Sequence, residues 1–209
     1  MKDWAEFHIG PDQDVSQAED NEQSGLARSV FDGIMIMRAH ATSEENKVNG
    51  WGVPPVGFGR SGVHGNFYIR GAIQSMRGIV ANDAEEAMYM ARAKDQNGDS
   101  ITSKHTYELH FPPGQTPPAR YFWSLTVYDQ DANLMLNDYD RYAISGNSED
   151  LIYEDDGSLR ILIGGKPPEG MVGNWLPAGE SFTRVTLRVY GPEKAMIERT
   201  WKPPQLKRL

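Results

Sequence analysis

Apolar residues recur every three or four positions up to about residue 96. Beyond residue 100 they recur every second position. From Gly25 to Ala41 the stripe Leu26, Val30, Ile34 and Met37, widened by Phe31 and Met35, predicts an amphipathic helix with one buried face. Ile69, Ile73, Met76 and Val80 predict a second helix over 67–80. Asn82 followed by Glu85 reads as a capping box, so Ala84, Met88 and Ala91 predict a third helix, stopped by "DQNG" at 95–98. After that the period is two. Tyr107/Leu109/Phe111, Trp123/Leu125/Val127, Ile161/Ile163 and Val185/Leu187/Val189 each alternate with polar neighbours. Strands separated by turn signals, without helices between them, argue for an antiparallel sheet system.

Two stretches lack a period. "NGWGVPPVGFGRSGVHGN", residues 49–66, is rich in glycine and proline and predicts a loop. It has neither a preceding apolar strand nor a GKS or GKT, so the phosphate-cradling use of such loops is not indicated. "TWKPPQLKRL" closes the sequence, with two prolines that oppose regular structure and Trp201 as an anchor.

Charge sharpens the division. Residues 1–48 hold ten acids and four bases, whereas the rest of the chain carries a net charge of only −2 out of −8. Residues 1–48 therefore read as an acidic arm and amphipathic helix, and 49–209 as a helical lead-in with a β-sandwich. No basic stripe exists for nucleic acid, and no apolar run is long enough to span a bilayer. The acidic N-terminus does not resemble a signal peptide, so the expected compartment is the cytoplasm, or the periplasm if a leader has been removed. Cysteine is absent, which excludes disulfides and thiolate chemistry.

Several motifs stand in a familiar order: "PPARYFWSLTVYD", "LNDYDRYAIS", "YEDDGSLRILI", "GNWLPA" and "LRVYGPEKAMIERTWKPPQLKRL", preceded by "NFYIRGAIQSMRGIVANDAEEAMYMA". From about Gly65 to Leu209 the chain resembles domain of unknown function 1214, a bacterial family. The resemblance implies a jelly-roll β-sandwich with helices at its edge. It also implies a C-terminal place in a longer two-domain protein, and the expected macromolecular partner is either a chain that supplies the N-terminal domain or a second copy of this one. One motif departs: "GGKPPEGMVG" precedes "NWLPA" where relatives tend to carry a polar loop. The fold class expected from period and resemblance together is α+β, helices followed by an antiparallel jelly-roll-like sandwich.

Candidate chemistry is sparse. "DQDANLMLNDYD" sets Asp129, Asp131, Asn133 and Asp140 at EF-hand positions 1, 3, 5 and 12, but Leu134 stands where glycine is needed, so a turn explains them better. Glu108 and His110 share a strand face and, with His64 or His105, are the alternative metal set for an enzyme. Ser124 lacks a nucleophile elbow. The leading expectation is a binding face: Ser124, Thr126 and Tyr128 beside Arg184, Thr186, Arg188 and Tyr190, with Arg141, Tyr142, Asn174 and Trp175 at its rim. Arginine forks and tyrosine faces suit carboxylates and saccharides. No cofactor is expected. Helix 25–41 is expected either to cover an apolar patch of the sandwich or to dock onto another copy, making a homo-oligomer.

Overall fold

The computed structural model describes residues 2–77 and 82–209. Its first long element is α1 (Asp20–Thr42). Glu19 and Glu22 close its N-terminus with a reciprocal capping box, and Asp20 and Glu22 suit the positive end of the helix dipole. A hairpin follows, β1 (Lys47–Val48) and β2 (Trp51–Gly52), joined through Asn49 and Gly50. Both turn residues have positive φ, 49° and 80°, as an Asn-Gly turn of this twist requires. The segment expected to be a plain loop thus begins with a strand, and it also holds the one-turn helix α2 (Ser61–His64). Helix α3 (Phe67–Arg77) starts where Asn66 Oδ1 accepts from the Ile69 amide at 3.2 Å. The predicted extension to Val80 lies outside the described residues.

The third predicted helix is instead a strand, β3 (Ala87–Arg92). Helix-favouring alanine and methionine are overridden by six cross-strand partners about a hundred residues later in the chain. Met88, Met90 and Arg92 point inward and Tyr89 and Ala91 lie on the other face, a period of two. "DQNG" is a turn after this strand, where Asp95 Oδ1 accepts from the amides of Asn97 and Asp99 at 2.8 and 3.1 Å.

The remaining strands are β4 (Tyr107–Phe111), β5 (Ala119–Asp129), β6 (Ala143–Ser145), β7 (Leu159–Ile163), β8 (Trp175–Leu176) and β9 (Phe182–Pro192). The short helix α4 (Lys194–Ile197) and β10 (Lys207–Arg208) complete the order. One sheet runs β1-β2-β3-β9-β5-β6, all antiparallel. The other runs β10-β4-β7-β8, antiparallel except for the parallel β7–β8 pair. The prolines of the tail do not prevent β10: they precede it, and Leu206 is fully buried beside it. The Trp201 indole is only half-buried and donates to the Gln115 carbonyl at 3.1 Å.

The two sheets share one core. Tyr107, Leu109, Phe111, Ile161 and Ile163 from the smaller sheet are buried together with Trp123, Leu125, Val127, Val185, Leu187 and Val189 from the larger. Phe111 meets Trp123 across the interface at 5.9 Å between ring centres, and Tyr107 meets Phe182 at 6.0 Å. Every inward residue named from the alternation of these four strands is therefore buried. The chain is α+β, with its long helices N-terminal to most of the sheet. Among the described residues no helix is long and apolar enough to cross a membrane.

Helix α1 departs from expectation. Val30, Phe31, Ile34, Met35 and Ile36 are all exposed. Only Leu26, Gly33 and Met37 of the central turns are half-covered, and the Met37 sulfur comes close to Gly71 of α3. The apolar stripe is real, but most of it faces solvent.

Candidate functional site

Strands β5 and β9 are direct neighbours, in a register that pairs Ser124 with Arg188, Thr126 with Thr186 and Tyr128 with Arg184. Their outer faces therefore form one surface. Strand β3 adds Tyr89 opposite Arg188, and Phe122 of β5 stacks on Tyr190 at 4.5 Å between ring centres. Tyr89 meets Tyr190 edge-on at 6.3 Å. Burial of the Tyr89 phenol, reinforced by Tyr190, raises its pKa above the ordinary tyrosine value, with Arg188 acting in the opposite direction.

Two guanidiniums meet over one ring. Arg184 lies 5.2 Å and Arg188 5.3 Å from the Tyr128 ring centre. Arg188 donates to Thr126 Oγ1 at 3.0 Å and to the Tyr128 hydroxyl, and it also lies 5.9 Å from the Tyr89 ring centre. Arg184 Nε is buried without a hydrogen-bond partner. Among the described residues neither arginine has a carboxylate within ion-pair distance, whereas Arg60, Arg141, Arg160 and Arg208 each have one. Two like charges beside a shared ring, desolvated in part and without a counter-ion, favour an incoming anion.

The expected rim does not join this face as a ligand shell. Asn174 is fully buried. Its amide donates to the carbonyls of Ile152 and Arg160 at 2.6 and 2.9 Å, and its oxygen accepts from the Ile152 amide at 2.8 Å. Trp175 is likewise buried, with its indole on the Gly164 carbonyl at 2.8 Å. Arg141 ties Asp150, at 2.9 Å, to the Gly173 carbonyl. Tyr142 is half-buried. Asn174, Trp175 and Arg141 thus brace the loops around β7 and β8, and every hydrogen bond of Asn174 goes to backbone.

The alternative metal set is dispersed among cations. Glu108 lies 3.5 Å from Arg160 Nε and 3.7 Å from Lys207 Nζ, and Arg160 continues to Glu154 at 2.9 Å. His110 is exposed beside this chain of charges, His105 meets Tyr107 edge-on, and the side chain of His64 lies outside the described residues. Among the described residues no group of three metal-ligating side chains forms. In the acidic loop, Asp129 Oδ1 accepts from the amides of Asp131 and Asn133 at 2.9 and 2.8 Å, which is the turn expected for it.

The glycine-rich segment contributes a cleft of about 190 Å³, floored by Phe58, Met88 and Ile197. Arg60 and Asp83 pair at its edge, and Arg199 reaches the carbonyls of Glu45 and Pro54 at 2.7 and 2.8 Å. Gly59 sits hard against this pair: a Cβ there would stand 2.4 Å from Asp83 Oδ1 and 2.6 Å from the Asn82 carbonyl. Tyr89 and Phe122 are the face residues that sequence reasoning missed. The alternation Met88-Tyr89-Met90 was the available signal.

A family model described as protein of unknown function (DUF1214) matches residues 86–194, more than half of the chain. The chain belongs to the DUF1214 family. The matched span includes β3, β5 and β9, and hence all the residues of the arginine–tyrosine face. The crystal structure of the VPA0106 protein from Vibrio parahaemolyticus superimposes over 100% of this chain and 50% of that one, with a TM-score of 0.68 and 19% identity. This DUF1214 chain thus spans about half the length of that protein and shares its fold. An uncharacterised protein from Burkholderia cenocepacia aligns over 96% of this chain and 44% of its own, at a TM-score of 0.43 and 15% identity. No curated protein matches.

Proposed function

We propose that this DUF1214 protein binds a small anionic ligand, a carboxylate or a carboxylate-bearing saccharide, on the outer face of β3, β9 and β5. The observation that carries the reading is the pair Arg184 and Arg188 over Tyr128, with no carboxylate partner among the described residues. Arg184 brings a guanidinium with no carboxylate partner among the described residues, while Arg188 is held in place by Thr126 and Tyr128. Tyr89, Tyr190 and Phe122 offer flat faces for the ring or chain that bears the charge.

The test uses glucuronate as probe, with glucose as its uncharged counterpart and sodium chloride matching the ionic strength. Glucuronate is expected to raise the melting temperature and to give a saturable titration, and glucose to do neither. Arg184→Gln removes one guanidinium without breaking a hydrogen bond of the face, and is expected to abolish the glucuronate effect at unchanged intrinsic stability. Equal binding to wild type and to this variant would place the anion elsewhere and end the proposal.

A further inference from the structure

We infer that the cleft of the glycine-rich segment is a second binding site, for a small aromatic carboxylate whose ring rests on the apolar floor and whose charge meets Arg199. The inference is independent of the anion face. Strand β3 presents Tyr89 to that face and Met88 to the cleft, because successive residues of a strand point to opposite sides. The cleft holds about 190 Å³. A dry cavity of about 150 Å³ is enough to take up benzene, so a single aromatic ring fits. Phe58 and Met88 on the floor are each only 3% exposed, Pro55 is buried, and Ile197 packs against the core beside them. A ring seated there leaves water for apolar contact, and the thioether of Met88 is a favourable neighbour for an aromatic group.

Arg199 sets the charge of the occupant. It follows the last turn of α4 with a φ of 59°, and its amide donates to the Met196 carbonyl at 3.0 Å. This left-handed position after a helix ordinarily belongs to glycine, because an L side chain is strained there. The residue that stands there against that preference is a long cation lining the cleft. Its Nη1 and Nη2 donate to the Glu45 and Pro54 carbonyls, and Pro54 is itself a wall of the cleft. These two bonds leave the other N–H groups of the guanidinium, which has five, free to donate. The acids of the rim, Asp83 and Glu85, both lie on Arg60, and among the described residues no carboxylate lies within ion-pair distance of Arg199. Burial lowers the pKa of Arg199, and no neighbouring acid offsets that effect. A partly desolvated guanidinium beside an apolar floor, with donors to spare, is complementary to a carboxylate carried on a ring.

The experiment titrates the full chain with benzoate by calorimetry at matched ionic strength. Benzyl alcohol serves as the uncharged ring and acetate as the charge without a ring. Benzoate is expected to saturate with a dissociation constant of roughly 1 mM or below, and benzyl alcohol to bind about tenfold more weakly, with no saturation by acetate. Arg199→Gln is expected to reduce benzoate to the level of benzyl alcohol. Were Arg199 only a strut for the two carbonyls, this variant would lower the melting temperature and keep the preference for benzoate. Val56 lines the cleft at 75% exposure, so its replacement leaves the packing intact. Val56→Glu adds a like charge there and is expected to weaken benzoate severalfold, with benzyl alcohol unchanged. Arg184→Gln, on the outer face of the larger sheet, is expected to bind benzoate as the wild type does. Absence of saturation at about 10 mM benzoate overturns the inference, and so does equal affinity for benzyl alcohol. A preference for benzoate that survives Arg199→Gln, or full benzoate affinity in Val56→Glu, also overturns it. Loss of benzoate binding in Arg184→Gln would move the ligand to the anion face and end the assignment to the cleft.

Discussion

Asn174 offers the sharpest division between a ligand-binding and a load-carrying role. Truncation by Asn174→Ala strips three backbone groups of their partners: the Ile152 amide, the Ile152 carbonyl and the Arg160 carbonyl. A buried polar group left unpaired costs about 1–3 kcal/mol. The residue is fully buried, and the space vacated admits at most about one water, which would restore part of the bonding. The expected loss is therefore about 3–5 kcal/mol, a large share of the roughly 5–15 kcal/mol that holds a domain folded. With an m-value of about 2–3 kcal/mol/M, the urea midpoint should fall by roughly 1–2 M at constant slope. Asn174 braces the smaller sheet, and the arginine pair lies on the larger one, so glucuronate should still raise the melting temperature of the variant by as much as it raises that of the wild type. A destabilisation below about 1 kcal/mol would refute the hydrogen-bond argument. Loss of glucuronate binding at full stability would return Asn174 to the ligand.

Two further outcomes follow from the same geometry. The raised pKa of Tyr89 means that the fold holds its proton more tightly than the unfolded chain does. That contribution is complete below the ordinary tyrosine value of about 10 and is lost as pH rises through the higher folded value. Tyr89→Phe should accordingly flatten the fall of stability above about pH 10 in thermal melts, and an unchanged fall would contradict the partial burial of the phenol. Gly59→Ala places a methyl within 2.4–2.7 Å of Asp83 and the Asn82 carbonyl. It should destabilise by about 1–3 kcal/mol in urea titrations, and a neutral result would show that the glycine-rich segment yields more easily than its packing suggests.

Strands β4, β5, β7 and β9 were legible because one face of each is buried and no helical spacing competes with the alternation. In β4, β5, β7 and β9 the alternating apolar residues read from the sequence point into a shared core, so alternation in sequence is alternation in space. Strand β3 was not legible, because Ala84, Met88 and Ala91 also satisfy a helical spacing, and the partner that decides against it, β9, is about a hundred residues away. Helix α1 shows a different limit. Amphipathicity announces an apolar face but not what covers it, and here the chain itself covers little of it. The arginine–tyrosine face followed from the outward positions of β5 and β9 once those strands are adjacent, which the register establishes. Asn174 and Trp175 read as rim residues in the sequence, and the structure buries both for a physical reason. Large polar side chains are common in binding rims, and they are equally useful as struts where backbone amides and carbonyls are buried without strand partners.

Strand β9 occupies the middle of the larger sheet, between β3 and β5, yet follows both in the chain. During synthesis those two segments emerge first and cannot complete their ladders until residues 182–192 arrive. Any fragment that stops short of Phe182 holds two open edges facing a missing strand, a template for pairing with other nascent chains. Such a topology makes closure late, dependent on distant segments and slow. Chaperone demand and inclusion-body yield should therefore change abruptly when truncations cross that position.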